Sequence, residues 1–544
     1  MAKGAGRAGR GAARLTGRRH RRAVPALRRR SLSTDDSVLA RASGDHQGIP
    51  VTAPPRAVGH QGQPGKTRVT HVPRRPASVR CPHMPPPYAN PTPDHTSDHA
   101  PEARGSAAHR VAEATEDYSA DRLPPEQRRS TLSITLVRMG FTVSATDLLY
   151  GMSLGLFFPF WTGLAIAVGS SVVVSAVSIL CGLIGQRERI TTALGLKAAF
   201  GRDGSRIPSL VIALLSAGFV GYSTGITAGV LPGGKDPWLS LVYCVLLSAA
   251  YTALSIVGFG KGLTWVGRIS VPLMLVTVVI AAVAAIRHAG GLAAVIEAQP
   301  VRAGEATAFA MFALGVNKWM TGATVTPDIT RFGKSRATVF TTTVAEFMVG
   351  NFGFNLLGIL LGLGVGRADM GAAFGVVGIG ALAAFAIFVQ GFPHEVNNMY
   401  AASLAGRTAV DLPRITVNVI AGVMACGLAY YGLTAGILDA FLTYLGYLGY
   451  AIPLIPGILV ADYFLLRRGR YDLSEAAVAT VNRRAVWAFA TGLAINLVLG
   501  FGFGDHSGTH SQLTGALLYV LFSLPQLRAA RAARRSDPVS APMG

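Results

Sequence analysis

Phe312-Ala-Leu-Gly-Val-Asn-Lys-Trp-Met-Thr-Gly-Ala-Thr-Val-Thr-Pro-Asp-Ile-Thr-Arg-Phe332 begins as an apolar membrane helix and then breaks that pattern in mid-span. Gly315 and Gly322 bracket Asn317, Lys318 and Trp319. A lipid-facing helix has no use for a lysine at that depth, where an unpaired charge costs roughly 2.5 kcal/mol or more. The segment must therefore face partners or a cavity. Discontinuous helices with exposed backbone at mid-membrane are how secondary transporters build a binding site.

The composition suits a polytopic membrane protein. The 544 residues are 50% hydrophobic and 14% charged, with mean hydropathy +0.40 and net charge +22. About twelve of the net positive charges lie before residue 130. Most others fall in short loops between apolar runs, as the positive-inside rule expects, so the basic excess is not read as a nucleic-acid signal. Cys81, Cys181, Cys244 and Cys426 show no paired spacing and support neither a disulfide framework nor a zinc site.

Residues 1–128 are rich in Arg, Pro, Gly, Ser and His and lack apolar periodicity, so they are expected to be a disordered tail. Arg18-Arg19-His20-Arg21-Arg22 has no apolar stretch behind it and does not open a secretory signal. The tail could touch anionic lipid. The alternative is that part of it is not translated, with Met84 or a later codon as the start. From Leu132 about twelve apolar runs follow, near 132–157, 160–184, 208–232, 237–257, 268–287, 306–326, 338–364, 373–403, 411–432, 436–465, 485–503 and 512–526. One set of loops holds about seventeen Lys and Arg residues, from Arg187 to Arg484, against Lys235, Arg287, Arg302 and Arg367 on the other. That asymmetry puts both termini in the cytoplasm.

Few charges remain within the spans. Asp147 interrupts the first, in Ser144-Ala-Thr-Asp-Leu-Leu-Tyr-Gly-Met-Ser-Leu-Gly155, and Lys318 the sixth. Breaks at the first members of two five-helix halves are what an inverted repeat predicts. Glu346 falls in span seven, and His394 and Glu395 in span eight.

Four stretches carry a resemblance: Arg129-Ser-Thr-Leu-Ser-Ile-Thr-Leu-Val-Arg-Met-Gly-Phe-Thr142, Thr324-Val-Thr-Pro-Asp-Ile-Thr-Arg-Phe-Gly333, Asn397-Asn-Met-Tyr-Ala-Ala-Ser-Leu404 and Pro453-Leu-Ile-Pro-Gly-Ile-Leu-Val-Ala-Asp-Tyr463. In order and spacing they resemble the nucleobase:cation symporter-1 family, and its cytosine permease branch most closely, over roughly residues 117 to 468. The resemblance implies an all-α integral membrane protein with a leucine-transporter-like fold, five plus five inverted helices and two appended. The core would span 129–468, the accessory pair 469–527 and a disordered cytoplasmic tail 528–544. It implies a carrier, not an enzyme, that imports a nucleobase or related heterocycle with Na⁺ or H⁺. A thiamine precursor, hydantoin, allantoin or an amine is the alternative cargo. No HExxH and no phosphate loop points to an integral-membrane enzyme. No cofactor, metal or nucleic acid is called for. The expected partners are the bilayer of the cell membrane and a small substrate, with the chain a monomer.

In that family aromatic residues on the sixth and third helices sandwich the substrate ring. Trp319, beside Gly315, matches the first and Phe219 the second, with Ser223 on the same helical face; relatives carry Trp and Gln where this chain has Phe219 and Ser223. Stacking is worth roughly 1–3 kcal/mol per base and tolerates many rings, so hydrogen bonds must select. Ordinary packing is the competing role for both aromatics. Where sodium-coupled relatives place hydroxyl ligands, this chain has Pro393 and His394, then Glu395, which favours H⁺ as the coupled ion unless the two merely satisfy each other. Asn397 and Asn398 offer the complement of a lactam edge, or bond another helix. Asp147 and Lys318 either pair across the breaks or bind an ion and a substrate group separately. Glu346 reads as structural. Asp328, Arg331, Asp462 and Tyr463 lie at helix ends, as gating pairs or as anchors.

Overall fold

The computed structural model describes residues 121–257, 261–474, 477–503 and 511–536. Each of the expected apolar runs is helical. The first span is α1 (Thr131–Thr142) and α2 (Ala145–Phe157), bent by 54°. Then come α3 (Phe160–Glu188), a short α4 (Thr192–Phe200), α5 (Arg206–Val230), α6 (Pro237–Val257), α7 (Lys261–His288) and a short α8 (Leu292–Glu297). The second half opens with α9 (Ala308–Thr324) and α10 (Pro327–Thr330), then α11 (Arg336–Val344), a π-turn (Ala345–Asn351) and α12 (Phe352–Val365) as one span. It continues through α13 (Met370–Val376), α14 (Gly380–Ala409), α15 (Arg414–Ala435), α16 (Ile437–Ala451) and α17 (Leu454–Val460). The accessory pair is α18 (Arg483–Phe503) and α19 (Ser511–Ser536). Among the described residues, eight helical spans are long and apolar enough to cross a membrane, and the bent α1–α2 pair makes a ninth. Large apolar side chains stand exposed on their outer faces, Trp161 at 66% and Val423 at 70%, as bilayer contact requires.

Both breaks differ from expectation in position. The first lies at Val143–Ser144, ahead of Asp147, because Ser144 caps α2: its Oγ accepts from the Asp147 N–H. The second lies at Val325–Thr326, and α9 runs unbroken through Gly315, Lys318 and Gly322. Those glycines admit neighbours instead of freeing backbone. A Cβ at Gly315 would stand 2.5 Å from the Tyr150 hydroxyl, and one at Gly322 would stand 2.8 Å from the Trp319 ring. Pro327 starts α10 because it lacks an N–H to continue α9.

Two ends of the chain also differ. Most of the expected amino-terminal tail lies outside the described residues, as does Cys81, but 121–128 are placed and Leu123 is buried, its N–H donating to the Arg189 carbonyl. At the other end α19 reaches Ser536, past the expected boundary, since its alanines and arginines are strong helix formers. The helices pack as two buried groups. Ala217, Val220, Leu247, Tyr251, Met399 and Ala425 join α5, α6, α14 and α15, and a larger group joins the two broken spans with α3, α12, α16 and α17.

Candidate substrate and ion site

Asp147 lies in the first turn of α2, where the helix dipole and the Ser144 cap favour a negative charge. Lys318 reaches it from α9: Nζ to Asp147 Oδ1 is 2.6 Å, with both side chains fully buried. The same Oδ1 accepts from Trp319 Nε1 at 2.8 Å, and Oδ2 from Ser144 Oγ at 2.7 Å. Lys318 also donates to Asn355 Oδ1 at 3.0 Å and lies 4.4 Å from the Tyr150 ring centroid. The chain of bonds goes on from Asn355 to Asn351 at 3.3 Å and from Asn351 to Ser171 Oγ at 2.7 Å. Ser171 ends it on the Ala167 carbonyl. Opposite charges alone would not offset the loss of hydration at this depth; the added donors and acceptors do.

The pair was one of two arrangements open from sequence. Trp319 has a place within it that stacking alone did not suggest, since its indole N–H is committed to Asp147 and its ring meets Phe347 edge-on at 5.8 Å. Gly315 packs under Tyr150, whose hydroxyl donates to the Met311 carbonyl at 2.6 Å. A second buried ion pair joins Arg138 of α1 to Glu346 in the π-turn, and Arg138 also donates to Ser178 Oγ at 2.9 Å. The extra residue of the π-turn is what turns Glu346 and Asn351 inward together. Arg138 lay unread in the first span; its spacing from Asp147 along a bent helix was the available signal.

The remaining expected residues gather around α14. His394 and Glu395 follow Pro393, which leaves the helix continuous but removes one backbone donor. His394 Nε2 lies 3.5 Å from Glu395 Oε1 without forming a hydrogen bond. Among the described residues neither ring nitrogen nor that oxygen makes a well-aligned hydrogen bond, although the Gly140 and Phe141 backbones stand beside the ring. Phe219 of α5 lies 6.0 Å from the His394 ring and 6.3 Å from Phe441 of α16, centroid to centroid. Ser223 is buried farther along α5 beside Glu395. Asn398 Nδ2 reaches Glu395 Oε2 at 3.5 Å. Asn397 instead lines a cavity of about 140 Å³ with Phe141, Asp328, Phe332 and Tyr400. Thus Asp147, Lys318 and Trp319 are joined by direct contacts, and Phe219, His394, Glu395 and Asn398 gather on α5 and α14, with His394 within electrostatic reach of Asp147. Asp328 accepts from the Thr192 N–H at 2.7 Å, and Asp462 holds Arg467 at 2.9 Å and Tyr519 Oη at 2.6 Å. The Arg331 Nε donates to the Asp328 carbonyl at 3.2 Å, and the Tyr463 hydroxyl to Glu188 at 3.0 Å.

The bent first span, the broken sixth and the two further helices do not by themselves name a function; related sequences do. Residues 125–520 match the profile of permeases for cytosine/purines, uracil, thiamine and allantoin. The chain belongs to that family. The cytosine permease of Escherichia coli K12 is 26% identical over 419 residues, covering 75% of this chain and 94% of that protein. Two structures of Mhp1, a nucleobase-cation-symport-1 family transporter, share the fold. The inward-facing form has a TM-score of 0.62 at 18% identity, covering 77% of this chain and 96% of that one. The closed form, with bromovinylhydantoin bound, has a TM-score of 0.60 at 17% identity, covering 77% and 98%. A Na⁺-coupled sialic acid symporter follows with a TM-score of 0.56 at 14% identity, covering 76% and 94%. This permease is therefore an all-helical, multi-pass membrane protein of the leucine-transporter-like fold.

Proposed function

We propose that this permease imports a small planar nitrogen heterocycle, cytosine or a related nucleobase, across the cell membrane by alternating access coupled to protons. The observation that carries this is the cluster of Asp147, Lys318 and Trp319 at the bend of the first span. It ties the two broken spans together, and the cytosine permease of Escherichia coli K12 is matched over 94% of its own length. Substrate would bind beside the Trp319 and Phe219 rings, with Ser223 and Asn398 offering polar contacts near Glu395, while Gly315 packs under Tyr150 and Asn397 faces the cavity it shares with Asp328 and Tyr400. A hydantoin is the second reading, favoured by the likeness to the hydantoin-bound form of Mhp1. An amine cargo is disfavoured, because both oxygens of Asp147 are already engaged.

Proton coupling is supported by the His394–Glu395 neighbourhood, which presents titratable groups where sodium would need several oxygens. The basic loops support cytoplasmic termini, and the chain is taken as a monomer without a resident cofactor. The test is uptake of labelled cytosine, uracil, adenine, hypoxanthine, hydantoin and allantoin into cells lacking their own carriers, with a protonophore and with sodium replaced. Accumulation of a base that collapses under the protonophore is the expected result. Uptake that needs sodium and survives the protonophore would overturn proton coupling, and failure to take up any of these rings would overturn the substrate class.

A further inference from the structure

The surroundings of Lys318 Nζ are those of a bound cation. Asp147 Oδ1 at 2.6 Å and the face of Tyr150 at 4.4 Å, both from α2, and Asn355 Oδ1 at 3.0 Å, from α12, meet the ammonium, and α9 supplies only the stem. Carboxylate, amide oxygen and aromatic face are the groups that recognise a free primary ammonium. The ligands are themselves fixed: Asn355 through Asn351 and Ser171, Asp147 through Ser144 and Trp319. Such a set is built around the charge and not around the lysine stem.

We propose that Asp147, Asn355 and Tyr150 form a monovalent-cation site at the bend of the first span, and that Lys318 occupies it as a cation tethered to the chain. Shortened to alanine, the lysine leaves space for n-propylammonium, which replaces its missing atoms one for one. The site then takes that ion from solution. In the unaltered permease the site is filled permanently, so the joint between the two broken spans needs no sodium. This last consequence rests on the transport reading; the binding site does not.

The experiment uses purified full-length protein and thermal unfolding, with no substrate. For Lys318→Ala, Tm rises with the concentration of n-propylammonium chloride and does not rise with propan-1-ol, a neutral molecule of the same shape. The unaltered protein responds to neither. Asp147→Asn/Lys318→Ala loses the response. An equal gain from propan-1-ol, no gain from either, or a response retained in the double variant would each overturn the site. If Lys318→Ala is recovered folded only from cells grown with n-propylammonium, that selectivity is the same supporting result, whereas recovery with propan-1-ol is the opposing one. In the unaltered permease, uptake unchanged when sodium is replaced by N-methylglucamine supports the filled site, and loss of uptake opposes it. Failure to carry any nucleobase would sink the transport reading while leaving the Tm result standing.

Discussion

At the bend of the first span, Asp147 and Lys318 are fully buried and both are matched: the carboxylate takes three donors, and the ammonium meets two oxygens and a ring. On α14, His394 and Glu395 are as deeply buried, yet both ring nitrogens and one carboxyl oxygen lack well-aligned hydrogen bonds among the described residues. The same types of group thus occur in two conditions. The first is a joint that holds helices in register, because any change of charge there leaves a partner stranded. The second has hydrogen-bonding capacity unspent, which is what a passing proton or substrate needs.

Breaking one member of the joint should have the largest effect. In Lys318→Met the Asp147 carboxylate stays buried with its counter-charge gone, a loss of about 3–5 kcal/mol. Thermal unfolding should show a large drop in Tm, and nucleobase uptake should vanish. Asp147→Asn/Lys318→Met removes both charges and should recover most of the stability without recovering uptake. If the double variant is no more stable than the single one, the joint is not electrostatic.

Trp319→Phe comes next. It keeps an aromatic face but loses the bond from Nε1 to Asp147, and hydrogen bonds to charged groups are worth about 1.5–3 kcal/mol. Stability should fall by that order while the KM for cytosine changes little if the ring alone meets the substrate. A KM that rises with no change in Tm would move the indole N–H from the joint to the substrate.

The architecture was largely legible in the sequence, since twenty-residue apolar runs and basic loops report bilayer thickness and charge directly. The breaks were legible as polar interruptions but not in position. Gly315 and Gly322 look like helix breakers, whereas only packing reveals that they make room for Tyr150, Ser170 and the Trp319 ring. Ser144 carried the better signal, a cap residue ahead of an acidic first turn. The partners of Lys318 were half legible: Asp147 by the cost of leaving either alone, Asn355 not at all, because its inward turn depends on the π-turn at Ala345–Asn351. Arg138 was missed because a buried arginine near the end of a span looks like an interfacial one.

On the unmatched side, Glu395→Gln preserves shape and should leave Tm nearly unchanged, with no charge partner to strand. Uptake driven by an inward proton gradient should fall at least about tenfold, equivalent to about 1.4 kcal/mol. It should also lose its dependence on external pH. A drop in Tm as large as that of Lys318→Met would show that this group, too, is structural.

The smallest effect is expected where the same chemistry meets water. Arg122 Nη2 lies 2.8 Å from Glu188 Oε2, with the arginine side chain 40% exposed and the glutamate 8%. Arg122 also donates to the Tyr471 carbonyl, and Glu188 keeps the Tyr463 hydroxyl at 3.0 Å whatever happens to the arginine. Exposed pairs are worth about 0–1 kcal/mol and are screened by salt. Arg122→Ala should therefore lower Tm slightly, and less in high salt than at low ionic strength, with only the small loss of its bond to Tyr471 left, whereas the Lys318→Met deficit should persist in full in both. A salt-insensitive loss at Arg122 comparable to that at Lys318 would mean that burial does not set the strength of these pairs, and the contrast between the joint and the rest of the molecule would need another cause.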